Sequence, residues 1–247
     1  MSQVIEDESG KEPRFKEGDI LYAETDNEYN VYKILKLEYI NDEFFCYHVL
    51  SYRPIKDMIG IEDVEKLDVF VMHSPIATME GCQLLGNIPV EEGELYGYYT
   101  YLKMTDFPRY AEETGQVIEE IVEESLKYFN AGNAFCKEER FEKAIVEFSK
   151  AIDLLPHFHE AIDNRGLTYM DLGDLDNAIR DFDLSLSYKP DNTIAIFSIG
   201  ECFFKMGMLE EAERQFEDVL EIDPDDALAM EWLDKTKEEI AKRDKTA

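Results

Sequence analysis

The 247 residues leave room for one large or two small domains, and 45% apolar content is ordinary for a soluble globular chain. The charge is not ordinary: 56 acidic against 25 basic side chains leave a net −31. Such a field repels phosphate backbones and anionic membrane surfaces, so it excludes nucleic acid and membrane as partners and steers in a partner with a basic patch.

Residues 1–14 are polar and acidic and read as a disordered tail. Residues 1–10 lack the basic start and apolar core of a signal peptide, and no apolar run approaches the roughly 18 residues of a membrane span. Cys46, Cys82, Cys136 and Cys202 are scattered without a Cys-x-x-Cys pair, which fits free thiols in a reducing compartment. The expected localisation is therefore cytoplasmic.

From Phe15 the texture becomes alternating and aromatic-rich. Strands are expected over 19–24, 31–39 and 44–52, with turn chemistry at Asp26-Asn27 and Asn41-Asp42. A fourth strand is expected over 69–72, a fifth over 81–85, and a helix over 91–104 that stops before Pro108. The segment 15–115 thus reads as an α+β domain: a bent antiparallel sheet or small barrel with one helix packed on it. Over its first strand only, Phe15-Lys16-Glu17-Gly18-Asp19-Ile20-Leu21 resembles the start of small SH3-like or immunity-protein-like β domains of bacteria. Tyr96, Tyr98, Tyr99 and Tyr101, with Tyr110 beyond, cover more than one helical face. They suit either a recognition surface or a helix wedged between two domains.

Chemistry is sparse. Cys46 and His48 lie two apart on one strand face, half of a metal site, but no second pair stands at ligand spacing, so a packed strand is expected. His157 and His159 read as residues of a surface turn. No phosphate loop, nucleophile elbow or His-Glu-x-x-His motif occurs, and the reading is of a non-enzyme without cofactor or metal.

The second half is periodic. Gly132, Gly166 and Gly200, then Ala144, Ala178 and Ala212, Phe148, Phe182 and Phe216, and Pro156, Pro190 and Pro224 each recur every 34 residues. Four series with one period define a repeat architecture. Within each unit the apolar positions recur at three- and four-residue steps on two successive helices, and the prolines stop each second helix. These positions resemble the tetratricopeptide repeat (TPR), covering 117 to about 245. The resemblance implies an all-α superhelix over 116–247: repeats at about 125–158, 159–192 and 193–226, and a capping helix over 227–243. In the capping helix, Ala227, Met230, Leu233 and Ile240 are expected to cover the third repeat. Arg165 stands where the family usually has leucine, a common drift. A first helix from about 116 to 138 is longer than the family's, and its extra turns are expected to dock the N-terminal domain.

The resemblance further implies that first helices line a concave groove that holds a protein or peptide. The groove residues are Phe129, Asn133, Asn164, Leu167, Met170, Phe197, Glu201 and Phe204, with Lys137, Asp163, Ile194 and Ser198 alongside. Chaperone-binding members grip a peptide's terminal carboxylate with two asparagines and three cations. Asn133 and Asn164 match the asparagines; the cation positions fall on Phe129, Ile194 and Ser198, so that clamp is rejected. The asparagines then either bond a peptide backbone or brace the helices. The third repeat's first helix is apolar nearly all round, which calls for a ligand, a second copy of the chain in a homodimer, or the N-terminal domain against it. The expected function is a protein-binding scaffold; the alternative is an N-terminal domain that acts, as an immunity protein or unrecognised enzyme, with the repeats serving assembly.

Overall fold

The computed structural model of the chain describes residues 13–40 and 44–246. Most of the expected tail at 1–14, and the Asn41-Asp42 turn, lie outside them. The described residues fall into two compact units that divide after Tyr110. No described helix is long and apolar enough to cross a membrane.

The first unit is an antiparallel sheet of β1 (Asp19–Thr25), β2 (Glu28–Tyr39), β3 (Phe45–Tyr52), β4 (Val69–Ile76) and β5 (Gln83–Asn87), in the order β4-β3-β2-β1-β5. No pairing joins β4 to β5, so the sheet is open rather than a barrel. Asp26 and Asn27 close the β1–β2 hairpin with φ of 55° and 64°, the doubly left-handed turn that matches strand twist and that Asx residues tolerate. Register shifts in the β1–β5, β2–β3 and β3–β4 pairings bend the sheet. The central strands β1, β2 and β3 carry buried residues on both faces, whereas β4 and β5 are more exposed. Leu21, Ile34, Tyr47 and Val49 pack with Phe15, Met79 and Cys82 on one side, while Ile20, Val31, Leu35, Leu50 and Tyr52 pack with Val64 on the other.

Lys33 points into the second of these faces and is buried, its ammonium bound by the Glu94 carboxylate at 2.6 and 2.8 Å and by the Pro89 carbonyl at 3.0 Å. Glu94 comes from a single 3-10 turn, Glu92–Leu95, which precedes α1 (Tyr96–Thr105). A Cβ on Gly97 would stand 2.8 Å from the Met72 carbonyl oxygen, which is how closely α1 approaches β4. Tyr98 is buried and Tyr96 exposed, so the tyrosine cluster divides between core and surface. Pro108 does not end the helical region. It sits in the first turn of α2 (Phe107–Thr114), where its missing N–H is not needed.

The second unit is a run of antiparallel helix pairs: α3 (Ile118–Lys137) with α4 (Phe141–Leu154), α5 (His159–Leu172) with α6 (Leu175–Tyr188), and α7 (Thr193–Met206) with α8 (Leu209–Ile222), closed by α9 (Ala227–Thr246). Each second helix packs on the next first helix; α3 also touches α5, and α5 touches α7, so these three form the inner wall. The recurring phenylalanine lies on the glycine of its own pair, and Phe182 and Phe216 also reach the helix that follows. A Cβ on Gly132, Gly166 or Gly200 would lie 2.5, 2.8 or 2.7 Å from the ring of Phe148, Phe182 or Phe216. Arg165 is no drifted leucine: its guanidinium binds Asp181 in a fork at 2.7 and 2.8 Å and Ser149 Oγ at 2.9 Å, tying α5 to α6 and α4.

The burial pattern of α9 differs from the expected one. Ala229 and Thr236 are fully buried, with Trp232 and Leu233 partly so, whereas Ala227 and Met230 face outward. The helix is rotated about one residue from the face its aliphatic residues suggest, because Trp232 takes the inward place.

Two outcomes test these contacts by urea unfolding of the full chain. Gly166→Ala is expected to cost about 1–3 kcal/mol by overpacking against Phe182, and the double variant with Phe182→Leu to cost less than the two singles summed. Glu94→Ala, which strands a buried ammonium, is expected to cost about 3 kcal/mol, while Lys33→Met with Glu94→Leu stays within about 1 kcal/mol of the parent.

Candidate functional site

The inner wall begins with Phe129 on α3, which is half-buried against Phe158 and Phe148 at ring separations of 4.9 and 5.9 Å. One turn on, Asn133 Oδ1 accepts a 2.9 Å hydrogen bond from Asn164 Nδ2 on α5. The asparagines therefore brace two first helices, and the bond uses one polar atom of each amide. Asn133 Nδ2 and Asn164 Oδ1 form no hydrogen bond to the described residues. A donor and an acceptor are thus left side by side. On the same wall Leu167 is 38% and Ile194 61% exposed, and Met170 is half-buried against the Phe182 and Ile199 cluster.

Asp163 is buried, its Oδ2 accepting 2.8 Å from Asn192 Nδ2, which also donates to Ser185 Oγ at 3.1 Å. Its Oδ1 is the one buried side-chain oxygen without a hydrogen bond among the described residues. Ser198 is buried and Lys137 exposed. The residues in the three cation positions of the carboxylate clamp are then one half-buried ring, one exposed isoleucine and one buried hydroxyl.

Phe197 and Phe204 meet a residue the sequence reading passed over. Trp232 of α9 stands 6.1 Å from Phe197 and 5.3 Å from Phe204, edge-on to both at 85°, and 5.8 Å from Phe216. The apolar surplus of α7 is in this way partly covered by the chain's own last helix, and Phe203 by the cluster of the second pair. Glu201 between them is half-buried; burial raises its carboxyl pKa, and Lys205 and Lys235 pull against that rise. The signal for Trp232 was its step of three from Ala229 and four from Thr236, two small residues easily mistaken for surface.

In the first unit, His48 pairs not with Cys46 but with Glu38 of β2 and His73 of β4. The Glu38 carboxylate, also held by the Arg109 guanidinium, can only accept, so His48 Nε2–H donates to it at 2.8 Å. His48 Nδ1 then accepts from His73 Nε2–H at 2.8 Å, and the two imidazoles stack at 5.0 Å. Tyr98 and Tyr101 of α1 enclose the pair, and the Tyr98 hydroxyl accepts from Arg109 Nη2 at 2.9 Å. Burial, and then the neighbouring His48, lower the His73 pKa from 6.5 to about 4. Among the described residues no group of three or more His, Cys, Asp or Glu is placed to hold a metal ion.

Residues 169–230 match the family model of the tetratricopeptide repeat. With the glycine–phenylalanine pairs recurring before that stretch, the helical unit is an array of tetratricopeptide repeats. Among solved structures it is similar to the first TPR domain of human RPAP3 (27% identity, TM-score 0.47), which covers 50% of this chain and 98% of that one. The first TPR of Spaghetti (RPAP3), solved with an HSP90 peptide, is 28% identical over 49% of this chain and 95% of that one, with TM-score 0.47. The Sgt2 TPR domain of Aspergillus fumigatus is 24% identical over 49% and 82%, with TM-score 0.47. No curated protein matches the chain in sequence.

The depressed His73 pKa has a sign. Between pH 6.5 and about 4 the unfolded chain takes up a proton there that the folded chain refuses, so stability falls as pH falls through that window. His73 is partly exposed, so the loss is on the order of 1–2 kcal/mol. Thermal unfolding of His73→Gln beside the parent at pH 7 and pH 4.5 measures it: the parent midpoint should drop further than the variant's.

Proposed function

We propose that this chain is a non-catalytic protein-interaction scaffold that holds an extended segment of a partner along the inner wall of α3, α5 and α7. The observation that carries the reading is the amide pair. Asn133 Nδ2 and Asn164 Oδ1 offer one donor and one acceptor side by side, the complement of a peptide unit's C=O and N–H. Backbone bonding of that kind gives affinity without regard to sequence, and the exposed Leu167 and Ile194 beside it supply apolar contact. The sequence-derived lining of Phe129, Asn133, Asn164, Leu167, Met170, Phe197, Glu201 and Phe204 is kept in this reading.

The partner is basic rather than acid-tailed. HSP90 and HSP70 peptides such as those held by the RPAP3 domains end in acidic residues and a carboxylate, and Phe129, Ile194 and Ser198 offer such an end no cation. The net charge of −31 favours a segment carrying lysine or arginine. With Trp232 over Phe197 and Phe204, a second copy of the chain is not needed to cover α7.

The test is affinity capture from lysate with the full chain, beside a variant carrying Asn133→Ala and Leu167→Glu that melts within a few degrees of the parent. A partner held by the parent and lost by the variant is the expected result. A partner held equally by both would move binding to the sheet unit and end this reading.

A further inference from the structure

The end of the inner wall next to α9 carries an arrangement that repeat packing does not require. Lys235 lies one turn beyond Trp232 on an exposed part of α9, where a lysine ordinarily extends into water. Here its ammonium is folded back, 3.9 Å from the centre of the Trp232 ring and 4.7 Å from that of Phe204, rings on two different helices. Glu201 stands close enough on α7 for the charges of Lys235 and Lys205 to favour its ionised form. Two aromatic rings hold one ammonium, and the charge of a half-buried carboxylate on α7 acts on it, which makes a cation-binding arrangement: the ring quadrupoles and the carboxylate attract the same charge.

We propose that the Phe204–Trp232–Glu201 cluster is a binding site for a lysine or arginine side chain of the partner segment, and that Lys235 occupies it internally until the partner displaces it. The proposal rests on the inner wall as the peptide-binding face and adds the chemistry recognised at one end of it. Three features favour displacement. Lys235 is held only by cation–π contacts and a neighbouring charge, and it regains four rotatable bonds of freedom when released into water. An arginine brings a planar, weakly hydrated guanidinium that stacks on the indole better than an ammonium does. The released ammonium, on a strongly acidic surface, remains well solvated and near carboxylates.

The chain contains a single tryptophan, so Trp232 emission reports on this site alone. The probe is the peptide acetyl-Ala-Leu-Arg-Leu-Ala-amide, titrated into the full chain, with a peptide carrying citrulline in place of arginine as the uncharged control. The arginine peptide is expected to change Trp232 emission saturably and the citrulline peptide to leave it unchanged. Lys235→Gln, a surface change that leaves the helix intact, should lower the half-saturation concentration about 3- to 10-fold. Glu201→Gln should raise it at least about 5-fold, with circular dichroism confirming the fold of both. No saturable change with either the parent or Lys235→Gln would overturn the site. An equal response to citrulline would show that charge is not what is recognised, and an unaltered affinity in Lys235→Gln would show that Lys235 is no occupant. Partner capture reads the amide pair and Trp232 emission reads this end of the wall, so the two ideas fail separately.

Discussion

The helical unit depends on one contact made three times, a phenylalanine ring laid on a glycine of the partner helix. With 2.5–2.8 Å between the ring and any Cβ at Gly132, Gly166 or Gly200, no other residue fits without moving the helices apart. That closeness sets the spacing within each pair, and the pairs then stack through the second helix of one and the first of the next. Apolar packing alone leaves the angle between pairs loosely specified, since hydrophobic attraction has no direction. Polar bonds supply direction: Arg165 to Ser149 ties the second pair to the first, and Asn192 to Asp163 and Ser185 ties the third pair to the second. A wall whose curvature is pinned in this way is pre-organised, and pre-organisation lowers the entropic cost of binding of the kind proposed.

What the wall offers is chemically graded along its length. Near α3 and α5 it presents a donor and an acceptor of paired amides, suited to any peptide backbone. Toward α7 and α9 it presents aromatic faces and a carboxylate, suited to a cation. The negative surplus of the whole chain acts in the same direction as that end, raising the encounter rate of basic segments and repelling acidic ones. In the function proposed, affinity from backbone contacts and selectivity from a cation site come from different residues.

The sheet unit is held by another principle. Its central strands are apolar on both faces, yet they hold charged and titratable side chains: buried Lys33 with half-buried Glu94, and buried His48 with half-buried Glu38, His73 and Arg109. Each costs desolvation, and each is fully paired, so removal of any one partner costs more than the pair contributes. The Glu38–His48–His73 chain fixes the tautomer of both imidazoles and joins β2, β3 and β4 beneath α1. With both imidazoles neutral it is an acid-sensitive connection, where an apolar contact would have been insensitive to pH.

The repeat period, the helix pairs, the five strands and the hairpin turn at Asp26-Asn27 were legible in the sequence, because local spacing and backbone preference determine them. The match of Asn133 and Asn164 to the family's asparagines was legible for the same reason, being a position within a period. The partners of His48, the role of Arg165 and the inward face of α9 were not. His73 lies diagonally across from His48, whose partner on β4 is Pro75, and which strands become neighbours in a sheet is invisible to alternation along one strand. On α9 two candidate faces differ by one residue, and only the room beside Phe197 and Phe204 decided that the indole turned inward. The sequence by itself determined the elements and their repetition, which depend on neighbours along the chain. Which side chains share a site depends on neighbours across it, and only the tertiary structure decided that.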